Sequence, residues 1–396
     1  MIIKRVVAKK IYNSRREDTI KVFVKSDKGT SEASVPAGAS VGKHEVMAFP
    51  KEGVNSSVDL INKNLSNELK GFEFNEFNDL KKIEIHWNIE KEGGNSLLAL
   101  ELALLKNLGP LWKVLNKDAK QVPRPVGNCI GGGMHIKKEG VLDIQEFLLL
   151  SLTASSFNDA VSANERAYNL IRKQLRKLDP KFNYEMTDEG AWAPNITNIQ
   201  ALDLLKKVVN KVSDEFGFKL RIGVDVAASS FFDGKNYVYK NPAQKLSPKE
   251  HFDFISNIIE KYNLLYVEDP FHEEDFKSFA KLTKKYGKKC MIVGDDLTTT
   301  NLVRLKKAIK EKAINAIILK PNQIGSLLEF DKVVKLAKEK KLHCIVSHRS
   351  GDTLDTSISH LAVAYGAPLL KCGIYGKERE IKLQEVKKIE KQIKNS

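Results

Sequence analysis

The sequence predicts an α/β protein, a TIM-like eight-stranded α/β barrel preceded by a smaller α+β domain. Beyond about residue 122, short apolar runs alternate with amphipathic helical stretches, the texture of a parallel sheet wrapped by helices. Many of those runs close on a polar side chain, and from Glu268 onward the closing residues recur at about the length of one strand–helix unit, so they reach the same end of one sheet. No strand candidate is followed by G-x-G-x-x-G, which disfavours an open dinucleotide-binding sheet.

The chain starts with β-prone runs, KRVVAKKIY and TIKVFVKS, and then VPAGASVGKHE, whose small residues read as a mobile loop. From Val58 to about Gly109 the period becomes helical, and in GGNSLLALELALLKNLG either Asn95 or Ser96 is expected to cap a helix apolar on nearly every face. The proline-punctuated segment QVPRPVGN marks the boundary. Eight strand candidates follow: IQEFLLLS, FNYEMTDE, LRIGVDVAAS, YNLLYVEDP, KKCMIVGDD, INAIILKPN, LHCIVSHRS and APLLKCG.

The 396 residues are 42% hydrophobic and 29% charged, which excludes wholesale disorder. With 65 Lys+Arg against 50 Asp+Glu the formal charge is +15, leaving an anionic small molecule or a nucleic acid as partner classes. Much of the excess is lysine at helical spacing, as in Lys306, Lys307, Lys310 and Lys312, and this reads first as solvated helix surface. The 4 cysteines form no C-x-x-C pair, and no window is apolar enough to span a bilayer; both point to a reduced, soluble, cytoplasmic protein with no membrane partner.

Asp225, Glu268 and Asp295 close three strand candidates in succession. Three hard oxygen ligands suit Mg²⁺ better than zinc, although each carboxylate alone would read as a helix cap. Lys320 closes the next strand, where nearby divalent charge is expected to lower its pKa and make it a base. Ser347–Gly351, SHRSG, sets an arginine and hydroxyls beside a histidine, suited to bidentate capture of phosphate, and Lys371 adds a cation. Together these groups suit proton abstraction beside a carboxylate, with the metal stabilising the enolate, the chemistry known from enolase-superfamily sites.

The segments SVPAGASVGKHE, GGGMH followed by IQEF, TDEGAWAPN, IGVDVAAS, VEDPF, GDDLTTTN, LKPNQIGS and SHRSGDTLDT together resemble enolase, in the family's order over nearly the whole chain. The resemblance implies a capping domain over residues 1–121, a barrel domain over 122–396, a homodimer or higher oligomer, and Mg²⁺-dependent interconversion of 2-phosphoglycerate and phosphoenolpyruvate. It implies that Asp225, Glu268 and Asp295 hold one Mg²⁺, that Lys320 takes the C2 proton, and that Glu189 with Glu146 beside it expels the C3 hydroxyl. It further places His135 and His348 near the departing hydroxyl or phosphate, Arg349 and Ser350 on phosphate, Lys371 on the substrate carboxylate, and Ser40 on a second Mg²⁺.

Several positions depart from the family pattern. Ala37 and Val41 remove two hydroxyls from the S-G-A-S-T-G loop, IKKEGVLDI after His135 is about two residues long, and Asn13 with Arg16-Glu17-Asp18 replaces part of D-S-R-G-N-P while Ser14 and Arg15 remain. These departures leave, as the alternative to an active enolase, an enolase-fold paralogue acting through binding, with RNA as its partner.

Overall fold

The computed structural model describes residues 1–38, 42–136 and 142–395. The expectations for Ser40, Val41 and most of the insertion after His135 lie outside the described residues. The N-terminal part is a three-stranded antiparallel sheet of β1 (Ile3–Tyr12), β2 (Asp18–Ser26) and β3 (Gly29–Ser34), packed against helix α1 (Gly94–Leu108). Alternation along β1 and β2 buries Val6, Ala8, Val22 and Val24 against Leu97, Leu98 and Leu104 of α1. The expected cap of α1 is corrected: the helix starts at Gly94 behind Gly93, whose φ of 77° needs no Cβ, and Asn95 and Ser96 are buried within it.

The barrel strands are β4 (Arg124–Gly131), β5 (Glu146–Leu150), β6 (Arg221–Asp225), β7 (Tyr266–Glu268), β8 (Met291–Gly294), β9 (Ala316–Leu319), β10 (His343–Ser347) and β11 (Leu369–Lys371). They close in the order β8-β9-β10-β11-β4-β5-β6-β7. The inside is filled by Val126, Leu148, Leu150, Tyr266, Met291, Val293, Ile318 and Ile345, while the alternate residues Ile317, Leu319 and Val346 pack outward under the helices.

Three details differ from the sequence expectation. FNYEMTDE is not a strand: Tyr184 stands at φ 67° and Gly190 at φ 79°, so this stretch turns back over the barrel mouth. The missing strand is Arg124–Gly131, which begins inside the segment read as a boundary, and Pro125 is tolerated there because it stands at the strand's beginning. Nor is the sheet wholly parallel, since β5 runs antiparallel to both β4 and β6. Among the described residues the connection from β4 to β5 carries only the short 3-10 turn Gly133–His135, and two long helices, Phe157–Leu178 and Asn198–Phe216, both lie between β5 and β6.

Outer helices carry the lysines as the periodicity predicts. Lys306, Lys307, Lys310 and Lys312 are exposed, and all four cysteines are buried and unpaired in disulfides. Among the described residues no helix is long and apolar enough to cross a membrane.

A buried carboxylate stitches the two parts together. Asp355, in the loop after β10, pairs with Lys106 of α1 at 2.7 Å and accepts from the backbone N–H of Ser34 at 3.1 Å and of Ser357 at 2.7 Å. Burial alone would raise its pKa, but Lys106 and the donors outweigh it and bring it down to about 2. A depressed carboxyl contributes stability above its unfolded pKa and loses it as pH falls toward the folded value. Asp355→Asn is therefore expected to lower the unfolding free energy by about 2 kcal/mol at neutral pH. In urea denaturation the gap to wild type should shrink as the pH drops from 4 toward 2; an unchanged gap in acid would exclude this ion pair as its source.

Candidate active site

Strand register builds the site. Glu146 pairs with Asp225, and Asp225 with Glu268, so the three lie in one lateral row on adjacent strands and point to the same face. Glu146 joins the row because β5 is antiparallel: its first residue lies where β6 and β7 end. From β11, across the barrel, Lys371 drives its Nζ into this row, 3.1 Å from Glu146, 3.0 Å from Asp225 and 2.9 Å from Glu268. Tyr266 closes the row from below by donating its hydroxyl to Glu268.

The next strands add Asp295 and Lys320, which form an ion pair with each other. Gln323 Nε2 donates to the other oxygen of Asp295 at 3.1 Å, and the Thr300 hydroxyl accepts from the Lys320 N–H at 2.9 Å. Asp269, one residue past Glu268, accepts from the backbone N–H groups of Asp295 at 3.1 Å and Asp296 at 2.6 Å. Asp269, Asp295 and Asp296 each bring an oxygen within 4.8 Å of the others. Of the expected ligand trio, then, Asp225 and Glu268 are joined through Lys371, whereas Asp295 clusters with two acids the sequence reading passed over. Their signal was the doubled acid in VEDP and GDD.

A second cluster stands beside the first. His135, Glu146 and Glu189 converge within 4.8 Å, and His348 Nε2 lies 3.4 Å from Glu189. Glu189 is presented by the TDEG turn, where Gly190 at φ 79° passes so close to the Tyr375 carbonyl that a Cβ would stand 2.5 Å from it. The two glutamates carry opposite shifts. Burial pushes Glu146 up to about 8, with Glu189 and Asp225 adding to it against Lys371. Burial also opposes ionisation of Glu189, but His348 and His135 outweigh it and hold that carboxyl well below the usual range. His135 is itself pushed up to about 9, burial being overcome by Glu189, Asp188 and Glu146, whereas burial lowers His348.

Arg349 forks onto Glu45, Nη1 to Oε2 at 3.0 Å and Nη2 to Oε1 at 3.1 Å, and Nη1 also reaches Asn322 at 3.0 Å. Glu45 was not foreseen in the sequence. Ser350 is buried on the same loop and lines the same cavity, with Lys320, Lys371, His135 and the acids of both clusters.

The acid cluster suits a hard divalent cation. Burial and mutual repulsion raise Glu268 and Asp269 well above ordinary carboxyls and Asp296 to about 7, the mark of buried negative charge that Lys320 and Lys371 do not neutralise. The expected lowering of the Lys320 pKa belongs to a site holding divalent charge; in this arrangement burial lowers it, but Asp295 outweighs burial and holds the ammonium above its usual value.

A closed barrel with carboxylates and lysines gathered at the C-terminal ends of its strands defines an α/β-barrel protein with an acid–base and metal-competent site. The profile described as "Enolase, C-terminal TIM barrel domain" matches residues 119–396, and "Enolase, N-terminal domain" matches residues 3–110. The chain is 41% identical to the enolase of Methanothermobacter thermautotrophicus over 99% of its own length and 97% of that protein's. It is 40% identical to the enolase of Methanosphaera stadtmanae over 100% and 98% of the two chains, and 41% identical to that of Pyrobaculum aerophilum over 96% and 94%. The chain belongs to the enolase family.

Lys371→Met would leave Glu146, Asp225 and Glu268 buried without their shared cation. We expect a loss of about 3 kcal/mol or more, since removing one partner strands the others. Low pH, which protonates Glu146 and Glu268, should narrow the gap: a smaller difference in melting temperature from wild type at pH 5.5 than at pH 8 supports this, and wild-type stability at pH 8 would refute it.

Proposed function

We propose that the chain catalyses the Mg²⁺-dependent, reversible dehydration of 2-phosphoglycerate to phosphoenolpyruvate, in glycolysis and gluconeogenesis. The observation that carries this reading is one cavity in which Lys320 and the Glu146–Glu189 pair are found together with the overcharged acid cluster. Asp225, Glu268 and Asp295 would hold the first ion, with Asp269 and Asp296 beside them, and Ser40 the second. A divalent ion supplies positive charge where the substrate carboxylate becomes enolic as the C2 proton leaves.

Lys320 takes that proton in its neutral form, toward which Arg349 and Lys371 push it against Asp295; a divalent ion on Asp295 would weaken that opposition. Glu189, held ionised by His348 and His135, takes a proton from Glu146, the carboxyl beside it that keeps its proton to about pH 8, and delivers it to the departing C3 hydroxyl, with His135 and His348 flanking. Arg349 and Ser350 take the phosphate; the planar fork that now grips Glu45 has the geometry for it. Lys371 receives the substrate carboxylate. We further propose a cap over residues 1–121, a barrel over 122–396, a homodimer, and a cytoplasmic setting in keeping with four buried free thiols.

The purified protein should form phosphoenolpyruvate from 2-phosphoglycerate with Mg²⁺ and stop when a chelator is added. Lys320→Ala should lose at least about 100-fold in kcat, the low end of what a positioned base supplies. A folded wild type that is silent with Mg²⁺ would sink the proposal. Mg²⁺ should also raise the melting temperature, as a ligand of the native state does. Asp295→Asn should abolish that rise, and an undiminished rise in this variant would place the ion elsewhere.

A further inference from the structure

We propose that Arg15 and Asp188 are positioning residues for His135: the arginine, from the N-terminal hairpin, holds Asp188, and Asp188 fixes the imidazole against Glu146 and Glu189. The kinetic consequences rest on the proposed dehydration; the positioning itself does not.

The geometry runs through one carboxylate. Asp188 Oδ2 is paired with the Arg15 guanidinium, and Asp188 Oδ1 lies 2.7 Å from His135 Nδ1. A carboxylate only accepts, so Nδ1 carries a proton whether the ring is neutral or charged. The other ring nitrogen then faces inward, with Nε2 3.8 Å from Glu146 Oε1, while Nδ1 stands 3.8 Å from Glu189 Oε1. The ring is only 7% exposed, so its orientation is set by these partners and not by water.

Arg15 is itself fixed. Its N–H donates to Asn13 Oδ1 at 2.9 Å, closing a tight turn with Arg16 at φ 61°, and its Nε binds Glu17 at 3.1 Å. The adjacent Ser14 is bolted to the barrel: its hydroxyl donates to the Ser350 carbonyl at 3.1 Å and accepts from the Asp352 N–H at 3.0 Å and Arg379 at 3.2 Å. The turn therefore cannot shift without moving the Arg349–Ser350 loop. In this way the N-terminal part reaches a ring at the floor of the cavity.

The groups facing His135 are Asp188, Glu189 and Glu146; behind them stand Arg15 on Asp188, His348 on Glu189 and Lys371 on Glu146. Asp188 favours the charged imidazole, whereas Arg15 draws off part of that favour. The two substitutions should consequently act in opposite directions on the ring and in the same direction on turnover, a pattern that simple loss of packing does not produce.

The test is the ring titration of His135 by NMR in the full chain, assigned with His135→Gln, alongside steady-state kinetics with 2-phosphoglycerate. In Asp188→Asn the His135 midpoint should fall by about one unit or more, a tenfold change in its protonation equilibrium. In Arg15→Ala it should stay level or rise. Both should lose about tenfold or more in kcat, with KM within about threefold of wild type. Arg15→Lys, which keeps the charge, should recover part of the kcat, and serves as the readout should Arg15→Ala fold poorly. An unmoved midpoint in Asp188→Asn, or a fall in Arg15→Ala matching that in Asp188→Asn, would overturn the proposal. Wild type without turnover counts against the dehydration reading, and the NMR midpoints still decide the roles of Asp188 and Arg15.

Discussion

Everything at the barrel mouth depends on one ammonium. Lys371 is the cation shared by Glu146, Asp225 and Glu268, three acidic side chains that are each at most 5% exposed and would be costlier still to bury together without it. Four strands deliver these groups to a common point: β5, β6, β7 and, from the other side of the closed sheet, β11. The reversed direction of β5 is part of the same solution. A parallel second strand would carry Glu146, its first residue, to the opposite end of the barrel.

That concentration of charge is matched by backbone strain. Ala227, Asp269, Thr299 and Thr300 all have φ between 39° and 51°, the left-handed region that residues with a Cβ seldom occupy, and all four follow barrel strands bearing the acids. Each costs on the order of 1–3 kcal/mol. They persist because the surroundings leave them little choice: Asp269 N–H donates to the Val293 carbonyl at 3.1 Å, Val226 N–H to the Glu268 carbonyl at 2.9 Å, and Thr299 N–H to the Asp295 carbonyl at 2.6 Å. The well-packed shell between strands and helices, from Phe147 to Val346, supplies the stability against which such strain is held.

Much of this was legible in the sequence, and the failures have physical causes. Seven of the eight barrel strands announce themselves as apolar runs, six of them closing on Asp225, Glu268, Asp295, Lys320, His348 or Lys371, because a strand buried on both faces has little choice of side chain. The eighth, Arg124–Gly131, was obscured by Pro123 and Pro125, whose missing N–H groups suggest a linker unless one knows that they stand at the strand's start. FNYEMTDE looked like a strand from composition alone, and it takes the left-handed Tyr184 to show otherwise. The acids and cations at strand ends were readable as a set. Glu45 and Arg15 were not, since they come from segments far away in the chain whose approach only the tertiary fold determines, Glu45 to the cavity and Arg15 to Asp188, which went unread beside Glu189.

The same limit applies to charge states, where the fold assigns different tasks to identical residues. Glu146 and Glu189 are both buried, and burial raises both, so their difference must come from their neighbours. Glu146 lies in the acid row next to Asp225, which repels its negative charge; Glu189 stands between two imidazoles, which attract it. A pair separated in this way can hold one proton at neutral pH and still offer an acceptor beside it, the condition for moving a proton to and from a leaving hydroxyl in both directions of a reversible reaction. His135 touches both members of the pair. The residues that set its orientation and charge therefore also govern how the two carboxyls divide that proton.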